Sequence, residues 1–458
     1  MSPVAPDLEV NVDRRAGELG PTLRLAAPMV VTELGWMAMG VVDLFMVRRL
    51  GPEAIGAVGL GNMLFFAVFI FGLGLLLGLD TLVPQAFGAG DVADCHRSLV
   101  HGLYLSLAVT PPTVLVLLLV QHGLGSMGVD PTVVPLASAY MGTLHWSVLP
   151  LLAFFACRRY LQGMSIGRPV MFALISANLV NLAANEVLIY GRLGLPALGV
   201  VGSGWSTVLG RLWMAGVLAV AIVRHDRRAH TGLSHTPLAI EPARMRGLLG
   251  LGLPVAVQLT AEVGVFAVAA TLAGRLGSSA LAAHEIVLNV VGTAFMVPLG
   301  VSSAASARVG QAIGRGDPAG AARAGWTALA VGVAFMVGVI LLLAGLPRSI
   351  LALYTDDPVV VRTGVSLLAV ACLFQLFDGT QIVASGALRG AGSTRLPMAC
   401  YILAHWAFGL PVGYLLAFSR GWGLLGLWVG LATGLIVAGL TLLAAWALKV
   451  RSLGGERP

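Results

Sequence analysis

Residues 253–275 read LPVAVQLTAEVGVFAVAATLAGR. At 1.5 Å per residue this apolar run is long enough to cross the ~30 Å hydrocarbon core of a bilayer. Near its middle stands one carboxylate, Glu262. A lone ionisable group at that depth costs at least ~2.5 kcal/mol, so it faces protein or a water-filled cavity rather than lipid. Two further apolar stretches repeat the pattern. WMAMGVVDLFMV (36–47) holds Asp43, and CLFQLFDGTQIV (372–383) holds Asp378.

The whole chain agrees with that stretch. Its 458 residues are 57% hydrophobic and 11% charged, with a mean hydropathy of +0.90. Soluble domains carry about 25% charged residues, so a soluble globule is excluded. Apolar runs longer than twenty residues also exclude the ~10-residue alternating strands of a membrane barrel. The fold class is an all-α integral membrane protein.

The net charge of +7 does not point to nucleic acid, because the basic residues are scattered between apolar runs. They are nearly all Arg, and Lys449 is the only Lys. Residues 1–20 contain Asp7, Glu9, Asp13 and Glu18, and lack the basic and short apolar regions of a cleaved signal. Cys95, Cys157, Cys372 and Cys400 form no CxxC and no metal spacing, and read as free packing residues.

Hydropathy predicts twelve spans, at about 22–47, 54–79, 98–121, 132–156, 168–190, 197–223, 248–274, 281–307, 322–346, 360–386, 396–419 and 422–448. With both termini inside, the inner segments hold twenty basic residues, among them Arg14, Arg15, Arg158, Arg159, Arg224, Arg308, Arg389 and Arg457. The outer loops hold six, namely Arg48, Arg49, Arg192, Arg275, Arg348 and Arg420. That asymmetry predicts cytoplasmic termini. The predicted domains are a cytoplasmic tail (1–20), a first lobe (21–223), a basic linker (224–247), a second lobe (248–448) and a second tail (449–458).

The two lobes are copies of one unit. Adding 226 to a position in the first half takes Pro28 to Pro254, Arg49-Leu50-Gly51 to Arg275-Leu276-Gly277, Gly74 to Gly300 and Gln85 to Gln311. Gly88 goes to Gly314, Gly90-Asp91 to Gly316-Asp317 and Arg97 to Arg323. One further residue of offset takes Gly163 to Gly390 and Arg168 to Arg395. Six spans per copy give both copies the same orientation, related by an axis along the membrane normal.

These residues resemble a known family, the multidrug and toxic compound extrusion (MATE) transporters, and its NorM-like branch in particular. In the first half the resemblance rests on MGVVDLFMVRRLG, LVPQAFGAGD and NLVNLAANEVLIYGRLGLPALGVVGSG. In the second it rests on PVAVQLTAEVGVFAV, SARVGQAIGRGD and FDGTQIVASGALRGAG. It covers about residues 20–450 and implies two six-helix lobes in a V around a central cleft. It also implies an antiporter that exports bulky, often cationic, organic compounds against inward Na+ or H+. Asp43 stands where the family places its first-span acid, Glu262 where it places its seventh-span acid and Asp378 its tenth-span acid. In the NorM-like branch the pair Glu262 and Asp378 is linked to cation binding, commonly Na+, and in other branches the first-lobe acid, here Asp43, is linked to protonation or drug release, so all three are candidates for cation coupling. Glu33 is an additional acid early in the first span.

The residues support the same assignments directly. A carboxylate in a low-dielectric cavity resists ionisation, so it takes a proton near neutral pH or holds Na+ through oxygen ligands. Gln258 lies one turn before Glu262, and Gln375, Asp378, Gln381 and Ser385 form a polar stripe on the tenth span. Asp43 is eight residues from Gly51, hence ~12 Å deep, and the competing reading pairs it with Arg48 or Arg49. Glu33 shares a loose stripe with Trp36, suited either to a cationic drug or to a structural pair with Arg24 or an amide. Asn178, Asn181 and Asn185 form a stripe that serves a lumen or helix packing. Glu285 and Asn289 share a face of the eighth span near the outer mouth, as candidates for the ion or drug pathway. Glu186 reads as interfacial, and Asp80, at the inner end of the second span, as structural.

The turns at Gly90-Asp91 and Gly316-Asp317 read as helix caps. No phosphate-loop motif exists, and His284-Glu285 fails the zinc-protease pattern because the second His position is Leu288. The expected cofactor is none, with an ion gradient as the driving force. Expected partners are small-molecule drugs or toxins, organic cations among them, and membrane lipids, with no nucleic acid, in a monomer of the bacterial inner membrane. The competing function is a flippase for a lipid-linked or other amphiphilic molecule, which would favour a cleft rich in Arg. Arg211 is the one mid-span base without an evident place.

Overall fold

A computed structural model describes residues 17–126 and 128–455 of the chain. Residues 1–16, Met127 and residues 456–458 lie outside the described residues, and with them Arg14, Arg15 and Arg457 of the expected tails. Among the described residues, twelve helices are long and apolar enough to cross a membrane. They are α1 (Leu19–Leu50), α2 (Pro52–Gly88), α3 (Val92–Ser126), α4 (Val134–Gly163), α5 (Arg168–Tyr190) and α6 (Val200–Ala229), followed by α7 (Pro242–Arg275), α8 (Ser278–Gly314), α9 (Pro318–Gly345), α10 (Pro358–Gly390), α11 (Arg395–Ser419) and α12 (Gly423–Gly454). No strand occurs among the described residues.

Several helices outrun the hydropathy pattern on the side that carries the termini. There α2 runs on to Gly88, α4 to Gly163 and α8 to Gly314. The apolar signal stops before the helix does because these ends bury polar side chains against other helices rather than lipid. Asp80, Thr81, Gln162, Ser306 and Gln311 are all buried. The basic linker shortens correspondingly, with α6 running to Ala229 and α7 beginning at Pro242.

Each repeat landmark has its counterpart in the backbone. Gly51 and Gly277, each ahead of a long helix, have φ of 107° and 112°, which side-chain-bearing residues rarely adopt. Asp91 caps α3 by accepting from Asp94 N at 2.8 Å, and Asp317 caps α9 by accepting from Gly320 N at 2.7 Å.

The lobes meet through α1 against α8 and α2 against α7, pairs that exchange under the repeat. Their contacts are reciprocal residue by residue. Gly74 presses on the backbone of Ala256, and Gly300 on Val30, which is the same contact with the lobes exchanged. Gly88 lies against the carbonyl of Gln311, and Gly314 against that of Gln85, with no room for a Cβ at any of the four glycines. Gln85 Nε2 donates to the Gly390 carbonyl at 3.0 Å, and Gln311 Nε2 to the Gly163 carbonyl at 2.8 Å. Small residues let the backbones approach, and each side-chain amide spans the seam. All of these contacts lie toward the side of the termini. Farther up, the lobes touch at Thr293 Oγ1 and Met37 Sδ, 3.7 Å apart. The molecule is a V, closed on the side of the termini.

Candidate functional site

In the second lobe, Glu262 on α7 and Asp378 on α10 open into one cavity of about 270 Å³. Phe266, Phe295, Phe374 and Trp428 supply much of its apolar wall. Glu262 has neither a hydrogen bond nor an ion pair among the described residues. Asp378 has a single polar contact, from Gln381 Nε2 at 3.1 Å. Two like charges in an apolar cavity repel each other, so a cation or a proton relieves both the repulsion and the burial. Neutral oxygens stand close by. Tyr401 lies beside the two acids, buried and with its hydroxyl unpartnered among the described residues. Gln381 Oε1 and both amide atoms of Gln375 are also buried and have no partner among them. Tyr401 sits just ahead of a wide π-helical turn, Leu403–Gly409, in α11. Such turns re-aim side chains where they interrupt a helix.

In the first lobe, Asp43 is the opposite case. It is 2% exposed, accepts from Asn185 Nδ2 at 2.9 Å and from Thr207 Oγ1 at 3.0 Å, and is not paired with Arg48 or Arg49. Asn185 is itself held by Asn181 Oδ1 at 3.1 Å. A cavity of about 340 Å³ opens beside this network, lined by Trp36, Asp43, Phe65, Phe66, Arg211 and, from the second lobe, Asn289. Arg211 thereby gains a place. Its Nη1 donates to Ser147 Oγ at 2.5 Å, and its guanidinium lies 4.4 Å from the Phe65 ring centroid.

Glu33 lines neither of these two cavities. It pairs with Arg158, which is 1% exposed and therefore not the inner-loop residue the sequence suggested. Arg159, likewise buried, faces Asp80 Oδ2 at 3.5 Å. Arg389 of the second lobe approaches the same oxygen at 3.3 Å through Nε. Asp80 therefore joins the lobes, a role its position at the end of a span did not reveal. Removing one partner of a buried pair costs about 3–5 kcal/mol, whereas apolar replacement of both is often neutral. Glu33→Ala is therefore expected to lower the thermal unfolding midpoint sharply, as followed by intrinsic fluorescence. Glu33→Leu with Arg158→Met should recover most of the loss. Wild-type melting of Glu33→Ala would refute the structural assignment.

The other sequence candidates divide. Asn178 ties α5 to α1, donating to the Gly35 carbonyl at 3.0 Å, and serves packing there rather than a cavity wall. Gln258 is buried but lines neither cavity described above. Glu285 is exposed, while Asn289 Oδ1 accepts from Tyr354 at 3.0 Å. His284 is buried and accepts from Trp428 Nε1 at 3.0 Å. Glu186 pairs with Arg192 at 2.5 Å. Sequence reasoning missed Thr207, Tyr401 and the Arg159–Asp80–Arg389 bridge. The unbroken run from Cys157 to Gly163, without proline or internal glycine, was the available signal that α4 continues through its arginines.

The family model described as MatE matches residues 28–187 and again 254–415, two copies whose starts differ by 226 (254 − 28). The "Probable multidrug resistance protein NorM" of Mesorhizobium japonicum is 38% identical over 442 residues, 95% of this chain and 94% of that protein. The "Multidrug resistance protein NorM" of Burkholderia vietnamiensis is 38% identical over 441 residues, 94% of each chain. Among solved structures, an outward-facing multidrug resistance MATE family transporter of the MOP superfamily aligns with a TM-score of 0.87 at 20% identity, covering 97% of this chain and 98% of that one. The eukaryotic MATE transporter AtDTX14 aligns with a TM-score of 0.85 at 22% identity, covering 95% and 98%. With both lobes matched by the family model and relatives this similar over nearly the full length, the chain belongs to the MatE family of transporters.

Proposed function

We propose that the protein is a secondary active multidrug antiporter, exporting bulky, often cationic, organic compounds in exchange for Na+ or H+ by alternating access. The observation that carries this reading is the pair Glu262 and Asp378, sharing one apolar cavity without a counter-charge. Among the described residues no group of three or more His, Cys, Asp or Glu side chains is placed to hold a metal ion. Two carboxylates supplemented by neutral oxygens suit one monovalent ion. The side of the termini is cytoplasmic, the membrane is the bacterial inner membrane, and the lobes are residues 21–223 and 248–448 of a monomer. With the cytoplasmic side shut, the cation enters from outside and neutralises the pair. The drug leaves the cleft, whose first-lobe wall offers Trp36, Phe65 and Phe66 beside Asp43 to an aromatic cation. One charge moved through 100 mV supplies ~2.3 kcal/mol, and a tenfold gradient of the ion adds ~1.4 kcal/mol. For an uncharged compound exchanged one for one, these together sustain an export gradient of several-hundred-fold; for a monovalent organic cation the two charges cancel across the potential, and the ion gradient alone sustains about tenfold. Arg211 is a single base among these cavity acids, so the Arg-rich cleft of the flippase alternative is not what lines the V.

Proteoliposomes given an Na+ gradient alone, or a pH gradient alone, test the reading with a fluorescent organic cation. Uphill movement of the dye under one gradient is expected. Failure under both would remove the antiporter reading for that class of compound.

A further inference from the structure

One wide groove belongs to neither acid site. It runs between α5 and α6 with a volume of about 1140 Å³. Phe172, Leu209, Leu212, Trp213, Val217 and Val220 line its length. Arg168, Arg224 and Arg228 stand at its end on the side of the termini, together with His225. The groove lies on the faces of both helices opposite those that enter the lobe. Asn181, Asn185, Thr207, Arg211, Met214 and Leu218 are buried inward. Phe172, Leu212 and Trp213 are exposed outward, 60%, 48% and 45% respectively. In a spanning bundle that outward face meets lipid.

The charge at its mouth is unbalanced. None of the three arginines has an ion pair or side-chain hydrogen bond among the described residues. The nearest acid in sequence, Asp226, is turned away, its Oδ1 accepting from Thr231 Oγ1 at 2.6 Å and Leu233 N at 2.8 Å. His225 Nε2 is buried without a partner among the described residues. From Arg224 up to Trp213 is about 16 Å along the helix, the depth of one leaflet. Trp213 is held across the groove, donating its indole N–H to Ser176 Oγ at 2.9 Å.

We infer that this groove is a binding site for an anionic glycerophospholipid of the cytoplasmic leaflet, its phosphate among Arg168, Arg224 and Arg228 and an acyl chain along α5 and α6 past Trp213. Basic pockets between spans on the cytoplasmic side select anionic headgroups, and the apolar length fixes the tail. The site rests on the orientation proposed above. Its test reads lipid rather than transport, so it stands or falls apart from the export reading.

The experiment reconstitutes the full chain in phosphatidylcholine vesicles and titrates in phosphatidylglycerol brominated at mid-chain. The readout is the quenching that disappears in Trp213→Phe. Half-quenching by the brominated phosphatidylglycerol is expected at a mole fraction ~10–100-fold below that for brominated phosphatidylcholine. Added glycerophosphate, a headgroup without tails, should not reverse it. Replacing all three arginines (Arg168→Gln, Arg224→Gln, Arg228→Gln) should abolish the preference while Trp213 stays quenched at the level of neutral lipid. Equal quenching by the two lipids in wild type would overturn the site. So would a preference that survives the triple replacement, displacement of the lipid by an equimolar organic cation, or a Trp213 that no lipid quenches because protein covers the groove.

Discussion

Asp378→Asn and Glu262→Gln are each expected to reduce gradient-driven efflux to the leak of protein-free vesicles while leaving the fold intact. Each swap removes one charge and keeps the shape of the side chain. The cavity offers the incoming ion an apolar wall, so the two carboxylates supply nearly all its electrostatic stabilisation. At contact distance and an effective dielectric near 20, one carboxylate contributes about 4 kcal/mol to a bound cation, on the order of 10³-fold in affinity. A site weakened that far does not fill at physiological ion concentrations, and drug release loses its trigger. Dye efflux under separate Na+ and pH gradients measures the effect. If drive survives in both variants and disappears in Asp43→Asn, coupling belongs to the first lobe and the assignment made here is wrong.

The second large effect is expected at Asp80. Its carboxylate stands between Arg159 and Arg389, which are 7% and 6% exposed and belong to different lobes. Asp80→Ala strands two guanidiniums in the seam. The cost of about 3–5 kcal/mol falls on the conformation in which the seam is closed, since opening lets water reach both cations. A shift of that size carries a two-state equilibrium from strongly closed to mostly open, and ~5.5 kcal/mol would take it from 99:1 to 1:99. Spin labels at Ala89 and Arg315, which are related by the repeat and flank the seam, report the separation. A distribution moved to longer distances in Asp80→Ala is the expected result. An unchanged distribution would show that the bridge does not hold the side of the termini shut.

Much of the architecture was readable in the sequence because hydropathy responds to lipid, and the lipid-facing parts of the helices obey it. The repeat was readable because glycines and turn residues sit where geometry permits little else, as at Gly51 and Gly277. Glu262, Asp378 and Asp43 stood out because an acid deep in an apolar run has few cheap environments. Arg158 and Arg159 did not, because two adjacent arginines after an apolar run look like a cytoplasmic loop. Their acids, Glu33 and Asp80, lie far away in the chain. Asn178 and Asn185 belong to one stripe, yet one braces a backbone carbonyl and the other holds Asp43. A helical wheel cannot separate those roles, because the difference lies in which helix stands opposite. Tyr401 gave no signal, since its unpartnered hydroxyl depends on the packing of α7, α10 and α11 together.

The exchange symmetry of the seam also bears on how it comes apart. Gly74 on Ala256 is mirrored by Gly300 on Val30, and Gln85 on Gly390 by Gln311 on Gly163. Contacts paired in this way about one axis lie at equal depth on its two sides, so neither side of the seam loosens ahead of the other. A rigid rotation about that axis's neighbourhood loosens both members of each pair together, and tight backbone packing allows little partial travel. The seam should therefore behave as a switch with two positions and few stops between. A substitution at one of its glycines should accordingly change how often the transporter is open, and leave unchanged how wide it opens.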